Sequence, residues 1–223
     1  MTSSADVQEL PNQITPASPQ EIAVALVRAW RALWNETPTR ESLLVLLAQG
    51  AFETGWWKAC HCYNLGNAKS VPGDLHCYTF FACSEVLGGK VVWFHPPHPA
   101  TRFRAFRSLA EGAVDYLALL RRRFHLAWPF VLSGDPAGFV HALKEQRYFT
   151  DSETHYAAQV TAIWQSMKGR FASFDPATVA DDEELTDDEK ERVMARVAAS
   201  LAEITRDLSN EHDAEPPEEE PNA

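Results

Sequence analysis

Glu53 is the residue whose type and position are best suited to chemistry. It ends an apolar stretch with helical spacing and is followed by Thr54-Gly55-Trp56-Trp57. The C-terminus of a helix carries partial negative charge, and two adjacent tryptophans would exclude water. Both effects raise the pKa of a carboxyl group. A carboxyl that stays protonated near neutral pH can act as a general acid toward a leaving oxygen. A solvated glutamate near a helix end is the alternative interpretation.

Five short segments resemble the motifs of one protein family, in that family's order. They are Ala48–Trp56 (AQGAFETGW), Tyr63–Lys69 (YNLGNAK), Ser84–Lys90 (SEVLGGK), Phe103–Glu111 (FRAFRSLAE) with the following Asp115-Tyr116, and Tyr148–Ala157 (YFTDSETHYA). The sequence is similar here to the bacterial glucosaminidases, a lysozyme-like family of flagellar muramidases and cell-wall autolysins. The resemblance covers about residues 40–168. Any one segment alone is a weak signal, whereas the ordered set is a strong one.

The resemblance implies a mainly α, lysozyme-like α+β fold in which one β-hairpin lobe flanks a glycan cleft. In that family's pattern Glu53 matches the catalytic acid, and Glu85 matches a hairpin carboxylate that positions or activates the attacking water. Tyr148 matches an aromatic hydroxyl that lines the cleft. Glycoside hydrolysis independently needs a proton donor and a base or charge stabiliser. Retaining, inverting and substrate-assisted routes all remain open, and we favour inversion or substrate assistance over a covalent intermediate.

Substrate contacts are expected from side chains beside the acid and in the loop that follows it. These are Trp56, Trp57, Asn64, Asn67 and Tyr156. Trp57, Gly66 and Val86 stand where the family commonly has glycine, phenylalanine and tyrosine, which alters the cleft floor. Trp93 and Trp128 are further candidates for stacking on sugar rings, with core packing as the alternative. No metal and no organic cofactor is expected.

The cysteines lie between the second helix and the hairpin, and their chemistry is left open by the sequence. They are Cys60, Cys62, Cys77 and Cys83, with His61 and His76 beside them. The C-x-C spacing has no second paired half, so it is a weak signal for zinc. One or two disulfides, favoured by the even count, and free thiols are the other interpretations.

A run of three arginines, Arg121-Arg122-Arg123, ends the helix that follows the hairpin. Such a cluster could contact an anionic wall polymer or phosphate. A solvated helix end explains it equally well, because the negative end of the helix dipole favours cations.

Hydrophobic periodicity and capping residues predict the elements that position these side chains. Helices are expected from Ser18 to about Asn35 and from Thr39 to near Gly55, then from Ser108, Asp135, Asp151 or Ser152, and Thr186. A β-hairpin is expected over Cys77 to Phe94. The predicted organisation is a flexible arm (1–17), a lysozyme-like domain (18–171), a linker (172–185), an amphipathic helix (186–210) and an acidic disordered tail (211–223). The last helix could dock on the domain or pair with a protein partner.

Charge is concentrated at the C-terminus. The net charge is −11, yet residues 181–223 hold 16 acidic and four basic residues, so the body is nearly neutral. That distribution argues against a polyanionic body, and no nucleic-acid partner is expected. No apolar run could span a membrane, and no secretion signal is recognisable at the N-terminus.

Taken together, the motifs predict a glycoside hydrolase that acts on peptidoglycan strands and cleaves the β-1,4 bond between N-acetylglucosamine and N-acetylmuramic acid. A lytic transglycosylase or muramidase on the same glycan is the first alternative. A non-catalytic glycan-binding module of a phage tail or injection assembly is the second. The expected place of action is the cell wall, in the periplasm, outside the cell or as part of a phage-like particle.

Overall fold

A computed structural model describes residues 7–71, 74–87, 89–180 and 186–212. Seven α-helices form the body: α1 (Pro19–Trp34), α2 (Arg40–Glu53), α3 (Leu109–Arg123), α4 (Trp128–Ser133), α5 (Pro136–Glu145), α6 (Glu153–Arg170) and α7 (Asp187–His212). Three short 3₁₀ turns, Pro99–Thr101, His125–Ala127 and Pro176–Thr178, lie between them. The predicted helices are confirmed, and α4 is an additional one.

Local capping sets most helix starts where the sequence predicts them. Ser18 and Glu21 form a complete capping box at α1, and Asp135 and Ser152 cap α5 and α6. The capping box expected at α3 is half formed. Ser108 accepts from the Glu111 amide, but the Glu111 carboxylate accepts from the amide of Arg107 instead.

Helix α2 runs through the centre of the body. Every residue from Ser42 to Ala51 is buried, and the helix packs against α1, α4, α5 and α6. Burial on all sides is the pattern of a central helix rather than a surface one. The helix reaches the surface only at its two ends, at Arg40-Glu41 and at Glu53, which lies at its C-terminus.

The strands form two separate small sheets. The first has the order β1-β2-β5, from Gln8–Glu9, His76–Thr79 and Arg102–Arg104, with β2 antiparallel to β5. The second is the hairpin of β3 (Cys83–Leu87) and β4 (Lys90–Phe94), in which Glu85 pairs with Val92.

The predicted hairpin boundary at Cys77 is therefore wrong. Cys77 and Tyr78 are almost fully buried, and Tyr78 packs with Phe103 and Cys62 in a second apolar cluster. Burying those side chains requires pairing with β5 rather than with β4. Only Cys83 to Phe94 forms the hairpin lobe.

The predicted flexible arm is also wrong over residues 8–15. Strand β1 pairs in parallel with β2, and Ile14 bridges His61. The Thr15 amide donates to the carbonyl of Cys60 at 2.7 Å, and the Thr15 hydroxyl accepts from the Tyr63 amide at 2.7 Å. These backbone hydrogen bonds tie the segment to the domain despite its polar composition. Residues 1–6 lie outside the described part.

Helix α7 docks on α3. Val197 is buried at their contact, Arg192 pairs with Glu111 at 3.1 Å, and Arg196 pairs with buried Asp115. Of the two predicted alternatives, docking is what the structure contains, and a protein partner for this helix stays a prediction.

Residues 172–180 also pack on the body, where the Arg31 guanidinium donates to the carbonyl of Val179 at 2.7 Å. The predicted acidic tail from residue 213 lies outside the described residues. None of the described helices is long and apolar enough to span a membrane.

Candidate active site

An open cleft of about 640 Å³ separates the helical body from the hairpin lobe. The body side comprises the end of α2, the end of α3 and residues 147–151, and the other side comprises the loop 66–69 and strand β3. Glu53, Glu85, Tyr148, Asn67 and Tyr156 all line it. The structure thus brings five predicted site residues, distant in sequence, to one cavity.

The carboxyl of Glu53 is held by two donors on one oxygen. The Tyr156 hydroxyl donates to Oε1 at 2.5 Å, and the Gln49 side-chain amide donates to the same atom at 3.3 Å. Burial raises the pKa of Glu53 to about 7, although these two hydrogen bonds act in the opposite direction. A large share of this carboxyl is therefore protonated near neutral pH, as a general acid requires.

Gln49 organises the site and was not among the predicted site residues. Its side chain is fully buried, and its amide nitrogen also donates to the hydroxyls of Tyr148 at 3.0 Å and Tyr156 at 3.3 Å. Its oxygen accepts from the hydroxyl of buried Tyr116. The four-residue spacing to Glu53 on one helix, which places both side chains on one face, was the available signal.

Tyr148 joins the acid's network to the opposite loop. Its hydroxyl accepts from Gln49 and donates to the carbonyl of Gly66 at 2.7 Å. A Cβ on Gly66 would lie 3.2 Å from that hydroxyl and 3.0 Å from the Tyr116 ring, so glycine permits the close approach. Burial holds the pKa values of Tyr148 and Tyr156 well above the ordinary range, so both remain neutral hydroxyls.

Glu85 lies on the opposite wall and is paired with a lysine. Lys69 Nζ is 3.1 Å from Glu85 Oε1, and it also donates to the carbonyl of Ala100 at 2.6 Å. The ammonium stands 3.9 Å from the centroid of the Phe103 ring. Lys69 thereby links the hairpin carboxylate to the body of the protein, and it was not among the predicted site residues.

The predicted glycan contact of Trp57 is wrong, and the structure does not bring Trp56 into the cleft. After α2, Gly55, Trp56 and Trp57 have φ angles of 56°, 60° and 59°, a left-handed turn that sends the chain away from the cleft. Trp57 is fully buried in the core. Trp56 packs against that core, with the Arg170 guanidinium 5.6 Å from its ring centroid, and does not line the cleft.

The aromatic surroundings of the acid come instead from α2, α6 and the segment before α6. Phe149 stacks on Tyr156 with ring centroids 3.9 Å apart, and Phe52 meets the Tyr156 ring edge-on at 4.6 Å. All three rings line the cleft with Glu53. Aromatic rings therefore shield the Glu53 carboxyl from water as predicted, but they are those of Phe52, Phe149 and Tyr156 rather than the two tryptophans. Tyr156 itself is buried, and its hydroxyl serves Glu53.

The two predicted asparagines separate into a structural residue and a cleft residue. Asn64 is buried, and its amide donates to the carbonyls of Ala68 at 2.9 Å and Arg104 at 3.1 Å. Its side chain is used to hold the loop, so the predicted glycan contact is wrong. Asn67 is exposed in the cleft wall with a left-handed φ of 49°, which asparagine tolerates well.

The four cysteines and two further tryptophans are the remaining candidates from the sequence. All four cysteines are free thiols, so the disulfides favoured by their even count are not formed. Within the described residues, no group of three or more metal-ligating side chains is assembled. Trp128 is buried and stacked on Trp30 at 5.0 Å, so its predicted role in sugar stacking is wrong, whereas Trp93 is 63% exposed on the hairpin.

A protonated carboxyl at the end of a buried helix, facing a hairpin carboxylate across an open cleft, defines the class of lysozyme-like glycoside hydrolases. The profile of one family, glucosaminidase, described as mannosyl-glycoprotein endo-β-N-acetylglucosaminidase, matches residues 28–169. The chain therefore belongs to the glucosaminidase family and is a glycoside hydrolase, which confirms the family resemblance.

Two solved structures are similar to this chain. The first is a peptidoglycan hydrolase mutant from Sphingomonas sp. A1, with 23% identity and a TM-score of 0.52 over 70% of this chain and 99% of that one. The second is a C-terminally truncated glycoside hydrolase domain of FlgJ from Salmonella typhimurium, with 21% identity and a TM-score of 0.45 over 68% and 99%. The first similarity confirms the predicted fold. Comparison with curated proteins gave no match.

Proposed function

We propose that this glycoside hydrolase cleaves the β-1,4 bond between N-acetylglucosamine and N-acetylmuramic acid in peptidoglycan. The observation that carries the proposal is the carboxyl of Glu53, whose pKa is raised to about 7 in the wall of an open cleft. An open cleft accepts the middle of a polymer, which suits an enzyme that cuts within a chain. The proposed place of action is the bacterial cell wall.

Glu53 acts as the general acid in this mechanism. Its proton passes to the glycosidic oxygen as the bond to the anomeric carbon breaks, which avoids an alkoxide leaving group. The Tyr156 and Gln49 donors then stabilise the carboxylate that remains. Both donors are neutral and buried, so they orient one oxygen of the acid without fully ionising it beforehand.

Glu85 acts as the base that activates the attacking water. It lies on the wall opposite Glu53, and Lys69 holds it at 3.1 Å. An acid and a base on opposite walls, with room for water, is the arrangement of an inverting glycosidase. A substrate-assisted route, in which the sugar's N-acetyl group attacks, needs Glu53 but not Glu85. The two routes therefore differ in the effect of removing Glu85.

Two comparisons support the choice of glycan. The similar structure from Sphingomonas sp. A1 is a peptidoglycan hydrolase, and the family description names an endo-β-N-acetylglucosaminidase on a mannosyl-glycoprotein. Both names describe enzymes that act on glycans of N-acetylated sugars. Digestion of a high-mannose glycoprotein is therefore included as a separate arm of the test.

The test is digestion of purified peptidoglycan by the natural protein and by Glu53→Gln, with fragments read by mass spectrometry. Fragments that end in reducing N-acetylglucosamine, and that Glu53→Gln does not release, are the expected result. Reducing muramic-acid ends would make the enzyme a muramidase, and anhydro ends a lytic transglycosylase. Release only from the glycoprotein would overturn peptidoglycan as the substrate. No fragments from any glycan would favour a binding module.

A further inference from the structure

Two arginines line the cleft wall near Tyr148. The Gln146 side-chain amide donates to the carbonyl of Arg123 at 3.2 Å, and the ring of Phe124 meets the ring of Tyr148 edge-on at 4.7 Å. These contacts join the end of α3, which carries Arg123, to the segment after α5, which carries Arg147. Both arginines therefore belong to the same wall of the cleft.

Neither arginine has a carboxylate partner within 4.0 Å among the described residues, and both are exposed. Arg104, Arg192 and Arg196 each pair with a carboxylate. The Arg123 guanidinium lies 5.8 Å from the centroid of the Phe124 ring, a contact that leaves its N–H donors available. An arginine in a substrate cleft without a carboxylate partner can bind an anionic ligand, and its planar guanidinium matches a carboxylate in two-point geometry.

The acidic groups of the cleft do not neutralise this pair. Glu85 is engaged by Lys69 at 3.1 Å. Asp151 hydrogen-bonds to the His155 ring at 2.9 Å and lies beside the Lys144 ammonium, which donates to the Asp151 carbonyl at 2.7 Å. Glu53 is the acid whose proton the reaction uses. The wall that carries Arg123 and Arg147 therefore presents positive charge to a bound polymer.

The backbone at Arg147 adds an independent observation. This residue has a φ of 60°, in the left-handed region that glycine or asparagine occupies with less strain. Its amide donates to the carbonyl of Lys144 at 3.0 Å, in the turn that leads from α5 to Tyr148. This turn places Arg147 directly before Tyr148 in the cleft wall.

We propose that Arg123 and Arg147 form a carboxylate-binding subsite, which recognises the anionic groups that a muramyl glycan carries beside its neutral sugar backbone. This inference rests on the proposed function and specifies the substrate class. The carboxylates of such a glycan belong either to the lactyl ether of muramic acid or to the peptide stem. A neutral chain of N-acetylglucosamine offers neither, so the subsite would favour peptidoglycan over chitin-like polymers.

The test measures binding without turnover in the full chain carrying Glu53→Gln. Sedimentation with insoluble peptidoglycan is compared for Arg123→Gln, Arg147→Gln and the double variant. Three substrates separate the sources: intact peptidoglycan, whose free carboxylates lie on the stems; strands stripped of stems by an amidase, which frees the lactyl carboxylate; and peptidoglycan whose carboxylates are converted to amides. Arg121→Gln is the matched control, because Arg121 ends the same helix but faces the Trp128 ring at 5.6 Å, outside the cleft.

Each cleft substitution is expected to weaken binding to intact peptidoglycan about tenfold or more, with a larger loss in the double variant and a smaller loss at high salt. The control and the thermal unfolding midpoints are expected to stay unchanged. Amidated peptidoglycan should bind all forms equally and weakly. A loss on intact material assigns the stem carboxylates, because the lactyl carboxyl is in an amide bond there. A loss on stripped strands as well shows that the freed lactyl carboxylate is also bound.

Equal binding of all variants to intact peptidoglycan, or an equal loss on amidated material, would overturn the subsite. The same substitutions in the Glu53-containing protein are expected to raise KM and leave kcat nearly unchanged. Absence of hydrolysis in that protein, together with carboxylate-dependent sedimentation, would overturn the hydrolase proposal and leave the subsite standing. Hydrolysis without carboxylate-dependent sedimentation would overturn the subsite and leave the hydrolase proposal standing.

Discussion

Replacing Tyr156 with phenylalanine tests the electrostatic argument for Glu53 most directly. The Tyr156 hydroxyl donates to Glu53 Oε1 at 2.5 Å and lowers the pKa of that carboxyl, while burial raises it to about 7. Phenylalanine keeps the ring contacts with Phe52 and Phe149, so the apolar surroundings persist. Removing the donor therefore leaves the effect of burial less opposed, and the pKa of Glu53 should rise.

The magnitude follows from the strength of the lost hydrogen bond. A hydrogen bond to a charged group contributes about 1.5–3 kcal/mol, and one pKa unit corresponds to about 1.4 kcal/mol. Tyr156→Phe should thus raise the pKa of Glu53 by about one to two units. Because a general acid works only while protonated, activity that declines in the natural protein around pH 7 should persist to higher pH in the variant.

The assay is the pH dependence of kcat/KM for peptidoglycan solubilisation, which reports groups of the free enzyme. Tyr148→Phe is the matched control, because the Tyr148 hydroxyl donates to Gly66 and does not contact Glu53. The alkaline limb of the kcat/KM profile should move much less in Tyr148→Phe than in Tyr156→Phe. An unchanged limb in Tyr156→Phe, or a shift to lower pH, would refute the role assigned to this hydroxyl.

Three further predictions use other parts of the structure. Glu53→Gln should raise the free energy of unfolding above pH 7 by at most about 3 kcal/mol and have little effect below pH 4.5. The reason is that the raised pKa makes ionisation of Glu53 costly in the folded state. Urea titrations at the two pH values would measure the difference. Glu85→Gln should reduce kcat about a hundredfold with an unchanged unfolding midpoint, and a near-normal kcat would instead favour the substrate-assisted route. Arg104→Met should destabilise the protein by about 3–5 kcal/mol, because buried Asp115 and Asp74 both lose an ion-pair partner, at 2.8 and 3.3 Å. Arg196→Met should cost less in the same urea titration, since Arg104 remains, and the opposite order would contradict this account of the α3–α7 contact.

Three cleft residues were predictable from the sequence, because each lies in a motif with a recognisable local pattern: Glu53, Glu85 and Tyr148. Glu53 ends an apolar helix, and Glu85 lies in a strand before a glycine turn. The two tryptophans misled because adjacency in sequence does not specify direction. Trp56 and Trp57 follow Glu53 directly, yet the left-handed turn at Gly55 sends them to the body and the core.

The contacts that influence the pKa of Glu53 could not be predicted from the sequence, for a different reason. Gln49 meets Tyr148 and Tyr156 across separations of 99 and 107 residues, so their meeting depends on how α2 packs against α6. The same holds for Lys69, which reaches Glu85 on the hairpin only once the loop and the hairpin are folded. Hydrophobic periodicity specifies which face of a helix is buried, but not which distant residue covers it.

Most helix boundaries and the candidate acid, Glu53, were predictable from the sequence, because caps, periodicity and helix ends are properties of neighbouring residues. Ser18, Asp135 and Ser152 begin their helices as their side chains predict. Tertiary structure alone decided that β2 pairs with β1 and β5 and that α7 docks on α3. Those outcomes depend on long-range burial and charge pairing, which arise only when separate segments are packed together.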